Sequence, residues 1–214
     1  MTTIGRALWI TVAILAMTLA WAMMGGPPAA VAEAARQGGI PCPLPPAFMD
    51  ASQPLQSPAT ASPQPFELDG ARISPLAGFS LEARVLSRED YSFGNEARFS
   101  PTDLALGWGP MAAEGLAEKL DVSQGGRWYR YRWGAGGPPL PPDTIARHSA
   151  NMHMVPADAA VARKLADVEA GQVVRLHGWL VRIDDPSGWH WKSSMSRDDT
   201  GAGACELVLV CAFQ

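Results

Sequence analysis

QVVRLHGWLVRI, residues 172–183, sets Val174, Leu176 and Leu180 at alternate positions along one side of an extended chain. That period of two marks a strand with one buried face. Gly178 stands in its middle, where a missing side chain suggests a bulge or a sharp bend. ELVLVCAF, residues 206–213, repeats the alternation with Leu207, Leu209, Cys211 and Phe213 on one face. Two such strands joined by a polar loop predict a curved sheet.

Upstream, Phe66 to Leu68 and Ile73 to Leu86 also read as extended, with Phe79, Leu81, Ala83 and Val85 sharing a side. Helix signals fall between these strands. Ser100-Pro101-Thr102-Asp103 resembles an N-cap followed by proline at the first helical position. Pro110 to Leu120, a short segment from Pro142, and Ala157 to Val168 are the other expected helices. No internal repeat is present. The fold class is therefore α+β: a small curved mixed or antiparallel sheet, with a partly open OB-like barrel as one form, and several short helices.

The chain begins differently. Arg6 is the only charge before an uninterrupted apolar run from Ala7 to Met24, and Gly25-Gly26-Pro27-Pro28 ends it. Eighteen residues at about 1.5 Å each span roughly 27 Å, close to a bilayer's hydrocarbon core. Residues 1–24 read as a signal anchor held in the inner membrane, with the rest of the chain in the periplasm. The alternative is a secreted protein cleaved near Ala32. Residues 25–65 hold ten of the nineteen prolines and read as a flexible tether. Residues 66–214 form the single globular domain.

That domain carries 15 basic and 19 acidic residues. So weak an acidic balance provides no field for steering polyanions, and nucleic acid is not an expected partner. Three cysteines leave two arrangements. In one, Cys205 and Cys211 are small buried hydrophobes and Cys42 a free thiol, the favoured reading. In the other, Cys42 bridges to one of them. No CxxC motif or Cys/His zinc spacing exists, so neither metal nor cofactor is expected.

Three clusters carry the chemistry. Arg127 to Trp133 (RWYRYRW) read as a strand puts Trp128, Arg130 and Arg132 on one side and Tyr129, Tyr131 and Trp133 on the other. Rings beside guanidinium groups are suited to holding a sugar, a base or an anionic polymer. All four histidines fall between His148 and His190. His148 and His153, five apart, do not share a helical face. With His190 and Asp198 or Asp199 they are the candidates for a metal-assisted hydrolase of nuclease type. Trp189-His190-Trp191 and Arg197 lie on the polar loop between the two best strands, where ligand sites concentrate. Asp199-Thr200-Gly201-Ala202 matches an aspartic-protease tetrapeptide in letters. It lacks the preceding apolar strand and a second copy. The composite expectation is a membrane-tethered envelope protein whose domain binds a protein or cell-wall polymer without catalysis. Its candidate ligand contacts are Trp128, Arg130, Arg132, Trp189, Trp191 and Arg197.

Overall fold

The computed structural model describes residues 40, 42–46, 52–197, 199 and 203–214. The expected anchor, most of the expected tether and Asp198 lie outside the described residues. Among the described residues no helix is long and apolar enough to cross a membrane. Ten strands and three short helices among the described residues make a mixed α+β fold built mostly on one curved sheet. In chain order they are β1 (Leu55–Pro58), β2 (Phe66–Leu68), β3 (Ala71–Asp90), α1 (Asn95–Phe99), β4 (Thr102–Gly107), β5 (Leu120–Gly125), β6 (Trp128–Trp133), α2 (Pro142–Arg147), β7 (Ser149–Pro156), α3 (Ala159–Asp167), β8 (Val173–Asp184), β9 (His190–Lys192) and β10 (Glu206–Phe213).

The pairing closes on itself. β3 is twenty residues long; its first part pairs with β8 and its last part with β4. β4 continues to β7, β7 pairs in parallel with β10, and β10 returns antiparallel to β8. Five strands therefore make a ring. Its interior is filled by alternate residues, among them Phe79, Leu81, Leu104, Leu106, Met152, Leu176, Leu180 and Val208. The buried face of α3 (Val161, Leu165) joins this core where β10 ends, and Lys164 Nζ donates to Phe213 O at 2.8 Å. Asp158 caps that helix by accepting from the amides of Ala160 and Val161.

The alternation read from residues 172–183 holds, and Gly178 has a clear reason. A Cβ there would lie 2.0 Å from Leu209 O, so only glycine lets β10 approach. Opposite it, the register slips between Val210 and Ala212. Cys211 is the extra residue, and past it the parity of β10 inverts. Phe213 thus faces the inner core with Val208 and Val210, while Leu207 and Leu209 pack outside. The expected common face of Leu207, Leu209, Cys211 and Phe213 is corrected by this bulge.

Two helix expectations are also corrected. Thr102–Gly107 is a strand buried at all six positions. Leu104 and Leu106 enter the ring while Ala105 packs into the outer layer, so the two faces of β4 are covered and its ladders to β3 and β7 outweigh the local capping signal. Ser100 Oγ donates to Thr102 O instead of capping. Between Pro110 and Leu120 the chain makes only two 3₁₀ turns, Gly109–Ala112 and Ala117–Lys119. Gly115 between them sits at φ +71°, outside any helix.

The outer wall of the ring is covered in two places. The β5–β6 hairpin and α2 lie over β4, burying Ala105, Met111, Leu120 and Ile145. Residues 40 and 42–46 lie as a strap over the other outer face. Cys42 is disulfide-bonded to Cys211, with Cα atoms 5.4 Å apart, which corrects the favoured reading of Cys42 as a free thiol and of Cys211 as a small buried hydrophobe. Cys205 is the free cysteine. Fully buried Trp179 donates its indole N–H to Pro43 O at 2.8 Å, and Ser80 Oγ donates to Pro46 O at 3.1 Å. Leu55–Pro58 then pairs with β3. Residues from the stretch read as a tether are thus part of the packed structure.

Candidate functional site

β4 and β7 present Asp103, Asn151 and His153 outward, beneath the tip of the β5–β6 hairpin. Asp103 is fully buried; its Oδ1 accepts from the Arg127 guanidinium at 2.6 Å and lies 3.0 Å from His153 Nδ1. Asn151 Nδ2 donates to Asp103 Oδ2 (3.2 Å) and to Arg127 O (3.1 Å), and Gln124 Nε2 donates to Asn151 Oδ1 (2.7 Å). Aromatic rings close the cluster: Arg127 stacks 3.8 Å from the Tyr91 centroid and 5.5 Å from Trp191, and His153 lies 4.6 Å from Trp191. Arg127 itself occupies the hairpin turn at φ +69°. The cluster is a closed cement between hairpin and ring. Four strands and two loops contribute to it, and its charges are paired as burial requires.

The loop between β9 and β10 makes the second polar centre. Arg197 Nε donates to Ser196 O at 2.9 Å and lies 2.7 Å from Glu206 Oε1 in an ion pair, and the guanidinium is 5.3 Å from the Phe79 ring. Glu206 is 1% exposed and shares the inward parity of Val208. Burial pushes its carboxyl up to about 7 against the pull of Arg197. Because the folded chain then holds this proton more tightly than the unfolded one, stability falls as pH rises from about 4.5 to about 7. The loss from this group is on the order of 3 kcal/mol. Urea unfolding across that range should show the slope in the native chain and a flatter one in Glu206→Gln. Equal slopes would remove Glu206 as its source. Asp199 Oδ2 accepts from Ser194 Oγ at 2.6 Å, bracing the same loop.

Between these centres runs a groove of about 200 Å³, walled by Trp128, Tyr129 and Tyr131 and floored by Ser149, Ala150 and Asn151; Asp199 and Cys205 close its end. Burial raises both the Tyr129 hydroxyl and the Cys205 thiol to about 12. Both are therefore neutral, and Cys205 is a poor nucleophile. Tyr129 and Ser149 hydroxyls are 2.7 Å apart, with Ser149 Oγ donating onward to Ile145 O.

The strand Trp128–Trp133 alternates as expected as far as Arg132: Trp128, Arg130 and Arg132 are exposed while Tyr129 and Tyr131 pack on the outer core, but Trp133, expected beside the tyrosines, is exposed. Arg132 pairs with Asp121 at 2.5 Å. The histidines are not gathered. His148 donates Nδ1–H to Thr144 O at the end of α2, His153 is buried beside Asp103, and His190 is exposed on β9. Among the described residues no group of three His, Cys, Asp or Glu could hold a metal. Trp189 stacks on Phe99 at 6.0 Å and Trp191 on His153, so both rings pack against the structure. Asp103 and Glu206 are buried carboxyl groups that were invisible as sites: one sat in an apparent helix cap, the other in a strand's apolar run. No protein-family model matches the chain, and no curated protein or solved structure is significantly similar to it.

Proposed function

We propose that this chain is an inner-membrane-tethered envelope protein whose periplasmic domain is a non-catalytic binding module for another protein or a cell-wall polymer. The Cys42–Cys211 disulfide carries this reading. Such bridges persist in oxidising compartments and are rare in the cytosol, in keeping with an export signal at Ala7–Met24. Docking of Ile40 and pinning at Cys42 leave fifteen residues, 25–39, between the anchor and the domain. At about 3.1 Å per residue they reach roughly 50 Å, which confines the domain to partners near the membrane.

The domain itself we read as an OB-like barrel. Numbering the ring strands in chain order, β3, β4, β7, β8 and β10, their neighbours run 1-2-3-5-4 and back to 1, with a helix between the third and fourth. This architecture serves in binding extended polymers along its strand faces. The groove beside β6, with its aromatic walls and neutral hydroxyl and thiol, supports binding over catalysis. Capture from envelope membranes with tagged full-length chain, crosslinked before extraction, tests it. A specific partner or glycan recovered with the native chain and lost when Trp128 is replaced by Ala is the expected result. A reporter at Gln214 active only in the cytoplasm would sink the compartment and the role together.

A further inference from the structure

Among the described residues β6 pairs only with β5, so its far edge has no strand beside it. An unpaired edge is a template for an added strand, and proteins that do not use one usually blunt it. Here the edge carries two exposed arginines, Arg130 and Arg132, and is flanked by a groove. Arg127, in the turn just before β6, is locked to Asp103, and its backbone N–H donates to the Tyr91 hydroxyl at 3.1 Å. Trp128, Tyr129 and Tyr131 line the groove that runs between the hairpin and β7. Trp128 and Trp133, at the two ends of β6, are each 41% exposed.

Resting on the binding-module reading, we propose that β6 receives an extended segment of another envelope protein as a third strand, and that this segment alternates acidic and apolar residues. An added strand would present every second side chain beside Trp128, Arg130 and Arg132, and the intervening ones beside Tyr129 and Tyr131. Cross-strand pairing favours opposite charges on the first side and apolar or aromatic groups on the second. Main-chain hydrogen bonds supply the affinity and the alternating pockets the specificity, as in other strand-addition interfaces. A second copy of this chain is disfavoured as the occupant, because antiparallel β6–β6 pairing sets the arginine faces against one another.

Three capped hexapeptides serve as probes with the oxidised full-length chain in detergent micelles: alternating Glu–Val, alternating Lys–Val, and Glu–Val with every second amide N-methylated. The Glu–Val peptide is expected to slow amide exchange across 128–133. The Lys–Val peptide should bind about tenfold more weakly, and the N-methylated one should fail to protect β6. Arg130→Glu, at an exposed position, should invert the preference between the charged peptides. Equal affinity for both, or unchanged β6 exchange at saturation, overturns the proposal. So does protection of the groove by purified glycan strands with no effect from the peptides. Partner capture from membranes that survives Arg130→Glu would sink the β6 site alone and leave the binding-module reading standing.

Discussion

Cys42→Ser is expected to lower unfolding stability by close to 5 kcal/mol. The disulfide joins residues 169 positions apart, and a cross-link closing so long a loop removes about that much chain entropy from the unfolded state. Typical domains are stable by only about 5–15 kcal/mol, so the variant should sit near the edge of folding. The loss should have a local signature as well. Without the bridge the strap can lift, and Trp179, now buried with its indole N–H on Pro43 O, gains access to water. Urea titration followed by tryptophan emission reads both. Cys205→Ser is the matched control, because Cys205 is half-buried and outside the bridge. A shift in Cys42→Ser no larger than in Cys205→Ser would show that the strap contributes nothing to holding the domain.

Strand β8 was legible because Val174, Leu176 and Leu180 fall on one face, and Gly178 announced the close approach that a Cβ would prevent. The exposed and packed sides of β6 were legible for the same reason. β4 was not. Its sequence offers a local cap, and the competing information lies in β3 and β7, far along the chain, whose ladders cover both edges. The parity change in β10 was hidden too, since a single bulged residue leaves no compositional trace. The disulfide could be named among the options but not selected, because pairing depends on distance in the fold. The site suffers most from this limit. Asp103, Arg127, Asn151 and Glu206 are drawn together from separate strands and loops, with no shared spacing, so nothing short of the topology assembles them.

Asp103→Ala should cost about 3–5 kcal/mol, the penalty for stranding a buried charge by deleting its partner. The carboxylate is wholly enclosed, and it accepts from both Arg127 and Asn151 while facing the His153 ring nitrogen. Removing it leaves a guanidinium with only 16% of its side chain exposed and an amide whose second donor has lost its acceptor. The asymmetry between breaking a pair and deleting it provides the decisive comparison. Arg127→Leu combined with Asp103→Ala removes both charges, and the double variant should be more stable than the sum of the single losses predicts. Urea unfolding of the four proteins gives the coupling directly. Additive losses, or a single-variant cost below about 1 kcal/mol, would mean the pair behaves as a solvated surface contact and the hairpin is held by Tyr129 and Tyr131 alone. Amide exchange should separate these cases in the native state. If Asp103 anchors the turn, exchange quickens first at Gln124–Tyr129 and only later in the ring, since regions open in order of their local stability. The β6 edge would then lose its fixed geometry before the domain unfolds, and any strand that docks there should bind more weakly to Asp103→Ala than its global stability alone explains.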